Sequence, residues 1–275
     1  MRPTIPPITA EQVERYNDFV TAIEANMTSD KEMYAPDASD ASSKAYQTPQ
    51  QLALNWLTFT DTLNINKRVA PKEWMVQRYA VAVLYFSTQG NQWKKSTGWL
   101  TGTHECDWHG LQCEMREVVT SRNGLMAVKM EFMAVTEVRL QENNIFGIFP
   151  KEIVAFQFLK SLALFDNKFF GTLPTEIGNF AILEELWIDN NKFQGVLPSE
   201  IGLLGQLQQI DVFTNNFGGM LPSQVSIKGF PLCFCLSKAD FSSFPSNSLQ
   251  TLCLLYGTTY RIGNPVTYFQ FHSLK

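Results

Sequence analysis

Charge is scarce in this chain. Only 17% of its 275 residues are Asp, Glu, Lys or Arg, against a usual ~25%. Lys and Arg number 22 and Asp and Glu 26, for a net charge of −4. That leaves no basic field for nucleic acid or an anionic membrane, and no nucleic-acid partner is expected. Long apolar runs are missing too. None approaches the ~18 residues of a membrane span, and the longest, Ala80 to Phe86, fits one buried helix. The opening residues Met1-Arg2-Pro3-Thr4-Ile5-Pro6-Pro7 lack the apolar core of a secretory signal. Neither a signal peptide nor a transmembrane helix is expected in this sequence.

Histidine is rare, at His104, His109 and His272. A Ser or Cys triad would need one of these beside a carboxylate. The sequence contains no G-x-x-x-x-G-K, H-E-x-x-H or G-x-S-x-G and no kinase signature set. The expectation is therefore a protein that is not an enzyme, with no cofactor and no metal. Wholesale disorder is excluded as well, because 45% hydrophobic and 13% aromatic content supplies a core.

What the chain does have is a repeat. Asn143, Asn167, Asn191 and Asn215 are spaced by 24 residues, as are Gly147, Gly171, Gly195 and Gly219, and Pro150, Pro174, Pro198 and Pro222. Aligned on this period, each unit reads L-x-x-L-x-L-x-x-N-x-φ-x-G-x-φ-P, most fully at Leu183, Leu186, Ile188, Asn191, Phe193, Gly195, Leu197 and Pro198. The alternating L-x-L segment has period 2 and predicts a short strand with one buried face. Strands from successive units stack into a parallel sheet, since one unit cannot bury its own leucines. The asparagine amides are expected to form a ladder between neighbouring turns. Glycine permits the tight backbone beyond them, and proline fixes φ where no ladder N–H is needed.

Upstream, helical spacing at Val13, Tyr16, Val20 and Ile23 predicts a first helix, with a capping-box signal at Thr9 and Gln12. Residues 28–44 read as a polar linker. A second helix starts at Thr48, with Pro49 in its first turn, and buries Leu52, Trp56 and Leu57. A third follows Pro71, is lined by Trp74, Met75, Arg78, Tyr79, Ala82, Tyr85 and Phe86, and is ended by Gly90. It is expected to cover the open edge of the first strands. Val118 to Phe132 reads as a hairpin about Asn123-Gly124. Cysteines number five: Cys106 and Cys113 close together, and Cys233, Cys235 and Cys253 near the end. By ligand type, His104, Cys106, His109 and Cys113 could hold zinc, although the spacing is not the common paired one. A disulfide and free thiols are the other readings.

The repeat columns resemble the plant-type class of leucine-rich repeat, marked by G-x-φ-P after the asparagine. Cys106-Asp107-Trp108-His109-Gly110-Leu111-Gln112-Cys113, with Trp93 and Trp99, is similar to the plant-type N-terminal cap. Plant receptor-like proteins, polygalacturonase-inhibiting proteins and membrane-associated algal repeat proteins have similar chains. The resemblance implies an α/β solenoid and a Cys106–Cys113 disulfide. It also implies an extracellular or membrane-associated setting, which the bridge would suit and the missing signal would not.

The expected organisation is an N-terminal helical region with linker at 1–92, a cap with hairpin at 93–130, four repeats at 131–228, and a degenerate cap or unrelated tail at 229–275. The face expected to carry function is the concave one, made by the outward x positions of the strands. Of those twenty positions seven are acidic and two basic. Phe165, Trp187 and Phe213 stand out, because solvent-facing aromatics there are not needed for folding, and buried aromatic anchors dominate interfaces. With Glu137, Arg139, Asp166, Glu185, Asp189 and Asp211 they form the candidate partner-binding set. The expected function is non-catalytic recognition of a basic peptide or protein edge. An inhibitor of a secreted glycan-degrading enzyme and the ectodomain fragment of a receptor-like membrane protein are the alternatives.

Overall fold

The computed structural model describes residues 8–26, 48–122 and 126–218. These fall into two compact units, the first holding the described residues up to 136 together with 150–156, the second those in 137–149 and 157–218. The linker at 28–44, the Asn123-Gly124 turn and the tail at 229–275, with Cys233, Cys235 and Cys253, lie outside the described residues.

The first unit begins with helix α1, Ala10–Asn26. Thr9 and Gln12 close its start reciprocally, backbone N–H to side chain in both directions at 2.9 and 3.2 Å. Its buried stripe is not the expected one. Val13 is exposed, while Arg15, Phe19, Ala22 and Ile23 are buried, so the inward face is turned toward a charged position. The reason is polar: Arg15 Nη1 donates to Asn64 Oδ1 at 2.7 Å and Nη2 to the Asp61 carbonyl at 3.0 Å.

Helix α2, Pro49–Asn55, has the Thr48–Gln51 capping box and Pro49 in its first turn. It passes directly into a π-helical turn, Trp56–Thr60, that buries Trp56 and Leu57; Leu52 is only half-buried. Helix α3, Lys72–Ser87, is buried continuously from Met75 to Leu84. It packs against α1, α2 and the 3₁₀ turn Lys151–Ala155, so it has no solvent face along this stretch. The helix ends at Ser87, and the left-handed residue beyond it is Gln89, at φ 53°. Gly90 is required for another reason, since a Cβ there would fall inside the Tyr85 ring.

Arg78 on α3 is the centre of this unit. Its Nε and Nη2 bond the two carboxylate oxygens of Asp61, each at 2.8 Å, and Nη1 bonds Glu105 Oε2 at 2.8 Å. The remaining N–H groups reach the carbonyls of Thr103 at 3.1 Å and Thr101 at 3.0 Å, so all five donors of the guanidinium are used. Its carbon lies 5.2 Å from the Trp56 ring centre and 5.1 Å from that of Trp108. Burial alone lowers the Arg78 pKa, but bonds to and charges of Asp61 and Glu105 outweigh it, and the net shift is upward. Neighbouring Gln77 donates to Glu105 at 2.8 Å and to the Met133 carbonyl at 3.0 Å, and accepts from Val135 N at 2.7 Å. Helix α3 thereby bonds to the backbone at Met133 and Val135.

Two long strands follow, β1, Leu111–Arg122, and β2, Met126–Arg139, neighbours in one sheet. So short a connection requires an antiparallel pair, and both strands run beyond the hairpin expected from sequence. Cys106, in the 3₁₀ turn Glu105–Asp107, is bridged to Cys113 on β1 with a Cα–Cα distance of 5.7 Å. Trp93 packs edge to face on Trp99, with centroids 4.7 Å apart, and Trp99 lies tilted against Trp108 at 5.3 Å. His104 does structural work there, its Nδ1 accepting from Cys106 N at 3.2 Å and its ring stacking on Trp74 at 5.0 Å. Zinc is not the reading this geometry supports; among the described residues no group of His, Cys, Asp and Glu could hold a metal.

The second unit is the repeat array. The end of β2 pairs in parallel with β4, Ser161–Ala163, then β6, Glu185–Trp187, then β8, Gln209–Asp211. A second parallel sheet runs β3, Phe146–Ile148, β5, Lys168–Gly171, β7, Lys192–Val196, and β9, Asn216–Gly218. Leu162, Leu186 and Ile210 from one sheet and Phe169, Phe193 and Phe217 from the other fill the space between. The phenylalanines stack face on, at 5.7 and 6.0 Å. Gly171 and Gly195 take φ +82° and +81°, which explains their column. The fold is an α/β solenoid with an N-terminal helical region. Among the described residues, no helix is long and apolar enough to cross a membrane.

Candidate binding face

The strand register sorts the outward residues into rows running across the sheet. The first is Glu137, Ser161, Glu185, Gln209, and the second is Arg139, Ala163, Trp187, Asp211. Two residues further along the strands come Gln141, Phe165, Asp189 and Phe213. There the ladder continues through bonds such as Glu142 N to the Phe165 carbonyl at 3.0 Å and Asn190 N to the Phe213 carbonyl at 2.8 Å.

The asparagine ladder holds this sheet to the turns behind it. Asn167 Nδ2 donates to the carbonyls of Leu140, Leu164 and Phe165 at 2.8–3.2 Å, and its Oδ1 accepts from Asn143 N and Ile145 N at 3.0 and 2.9 Å. Asn191 repeats the pattern on Leu164, Ile188 and Asp189, with Phe169 N donating to its Oδ1. Asn215 does so on Ile188, Val212 and Phe213, with Phe193 N. Each amide joins two units, so a strand cannot shift without breaking bonds in its neighbour.

The face is not uniformly open. Sequence reasoning treats every x position as solvent-facing, but Phe165 is only 8% exposed, and Asp189, Ser161 and Ala163 are buried as well. Side-chain length accounts for this. Ser161 and Ala163 are short, and long neighbours flank them: Arg139 on β2, Glu185 and Trp187 on β6. Ser161 Oγ donates to Glu185 Oε2 at 2.8 Å, and the Trp187 and Phe165 rings lie 6.4 Å apart. Arg139 Nε bonds Glu137 Oε2 at 2.6 Å. What remains half-exposed or open is Glu137, Arg139, Gln141, Glu185, Trp187, Gln209, Asp211 and Phe213. Asp211 Oδ1 accepts from Phe213 N at 3.0 Å, which orients its carboxylate.

Asp166 stands apart from the rest of the set. It is exposed, but on the turn rather than the strand, at φ 55°. Glu142, Asn190 and Thr214 hold the same position, at 55°, 52° and 52°. This left-handed column precedes every ladder asparagine. It passes unnoticed in the sequence because no glycine or common residue type marks it. Gln209, one of the twenty outward positions, is absent from the candidate set, because a lone glutamine carries no signal until register places it beside Glu185.

Residues 183–204 match the Leucine Rich Repeat family. No curated protein sequence matches the chain. Among solved structures, it is similar to the LRR ectodomain of the receptor kinase SOBIR1 from Arabidopsis thaliana, at 20% identity over 58% of this chain and 80% of that one, with a TM-score of 0.45. It is similar to the BIR2 ectodomain from the same plant at 17% identity, over 61% of this chain and 96% of that one, TM-score 0.40. A TDR receptor is 36% identical, over 32% of this chain and 15% of that one, TM-score 0.31. One repeat matches the family directly, and residues 137–218 carry the same leucine and asparagine columns in a single hydrogen-bonded register.

Proposed function

We propose that the protein is a non-catalytic recognition module whose strand face binds a protein or peptide of basic character. The observation that carries this reading is Trp187. It projects from the side of β6 opposite the core, stays half-exposed, and has Glu185 beside it on its own strand and Asp211 next to it on β8. A large aromatic that folding does not require, ringed by acidic groups, is the composition of an interface anchor, and indole attracts a cation over its ring. Width limits the partner: four strands at ~4.8 Å spacing span only ~15–20 Å, which suits a peptide or one edge of a protein. The Cys106–Cys113 bridge favours an oxidising compartment for this activity.

A displayed library of random peptides, selected on the full chain, tests the reading. Selected peptides should be enriched in Lys and Arg, and binding should weaken by ~2 kcal/mol in Trp187→Ala. Binding that survives this substitution unchanged would place recognition elsewhere.

A further inference from the structure

One row of the strand face carries opposite charges at its two ends. Register puts Arg139, Ala163, Trp187 and Asp211 side by side on β2, β4, β6 and β8. Arg139 is exposed and Asp211 half-exposed, and between them lie buried Ala163 and the half-exposed Trp187 ring. The three strand spacings from Arg139 to Asp211 amount to ~14 Å. Arg139 is held by Glu137, but a pair on the surface is worth only ~0–1 kcal/mol and exchanges readily for another carboxylate.

From this row, and resting on the reading of the strand face as the binding surface, we propose the ligand's charge pattern. The occupant is an extended segment lying across the strands, with one acidic and one basic side chain four residues apart. In an extended chain, side chains at i and i+4 share a face and stand ~13 Å apart, which matches the row. The acidic group meets Arg139. The basic group reaches Asp211, its methylene stem lying along the Trp187 indole. The side chain at i+2 falls at the middle of the row, between Ala163 and the Trp187 ring, where the receptor offers no charge, so a small or apolar residue belongs there. Reversing the peptide's direction leaves the spacing unchanged; the row therefore selects a separation and a pairing of charges, and basic character is required at one end only.

Labelled ten-residue peptides of Ser and Thr, carrying one Glu and one Lys, test this against the full chain at low salt, where surface charge is least screened. Separations of two, three, four, five and six are compared by fluorescence anisotropy. The four-residue spacing should bind tightest, at least about threefold better than the others, as expected for one added surface ion pair. Arg139→Glu should invert the preference, so that a peptide with Lys at both positions outbinds the Glu/Lys peptide. Equal binding at every spacing, with loss in Trp187→Ala, overturns the proposed pattern while the strand face stands as the binding surface. Binding that ignores both Arg139→Glu and Trp187→Ala overturns the pattern and that reading together.

Discussion

Arg78 and Glu105 meet at 2.8 Å with both side chains fully buried. Asp61, equally buried, holds the other side of the guanidinium. Such a group stabilises only as a complete set. Removing one partner strands a charge in a dry site and costs ~3–5 kcal/mol. Glu105→Ala should therefore lower the stability of the first unit by that amount, measured by denaturant unfolding. Arg139→Ala, which breaks the exposed pair with Glu137, should stay within ~1 kcal/mol.

The Cys106–Cys113 bridge closes a short loop with a sequence separation of 7, which the chain-entropy account values at ~2–3 kcal/mol. It also fixes the turn bearing Glu105, one residue away. Reductant should lower the melting temperature of the first unit, and the Cys106→Ser, Cys113→Ser double variant should reproduce that loss without reductant. Intact-mass alkylation of protein from its native compartment checks the premise; both thiols should stay unlabelled until reduced.

Protonation of His109 supplies a pH test. Burial lowers its pKa first, and the charge of Lys95 lowers it further. The unfolded histidine, near ~6.5, binds a proton more readily than the folded one, so stability rises with pH through the interval between the two values. The contribution is fully present above ~6.5 and is lost as pH falls through the lower folded value. Melting temperature should decline from pH 7 to 5.5, and His109→Gln should flatten that slope. An NMR titration placing His109 at or above 6.5 would remove the explanation.

The repeat was legible because its physics is local. Period 2 at Leu186 and Ile188, and period 24 at Asn191, Gly195 and Pro198, state strand, ladder and turn directly. The capping box at Thr9 and Gln12 was equally plain, resting on residues three apart, and Pro49 marked the start of the second helix. What the sequence hid depends on neighbours distant along the chain. Arg78 looked like one residue of an apolar helix, and nothing near it marks Asp61 and Glu105 as partners. Phe165 looked exposed because alternation sets which way a side chain points, not what leans over it. Whether Trp187 would lie against it depends on Ala163 being small, a fact that matters only once β4 and β6 are adjacent.

The ladder makes a prediction about distance along the chain. Asn191 accepts from Phe169 N, 22 residues earlier, at 3.0 Å, and donates to the Leu164 carbonyl at 2.9 Å in the same upstream unit. Asn191→Ala leaves the Phe169 N–H buried without its acceptor, at ~1–3 kcal/mol, while the Leu164 carbonyl keeps the bond from Asn167 Nδ2 at 2.9 Å. The cost should be about 2 kcal/mol. Hydrogen exchange gives the sharper reading: the Phe169 amide should lose protection although its own unit is unaltered. A loss confined to the Asn191 turn would mean that the units are not coupled through this amide.

Trp187 and Leu186 are adjacent in sequence and opposite in role. Leu186 is fully buried between the two sheets, and its truncation to Ala should cost ~2–5 kcal/mol through lost transfer energy and the cavity left behind. Trp187 points away from that core, so truncation opens no cavity there. It is not free of cost, because its ring contacts Phe165 at 6.4 Å, and such aromatic pairs contribute ~0.5–1.5 kcal/mol. Trp187→Ala should thus destabilise by about 1 kcal/mol, uncover Phe165, and weaken peptide binding by ~2 kcal/mol. The comparison separates the two roles on one strand. If Trp187→Ala melts the protein as severely as Leu186→Ala, the ring is part of the fold and the outward row has no anchor. If it leaves stability nearly intact and removes binding, the half-exposed indole is where the partner is held.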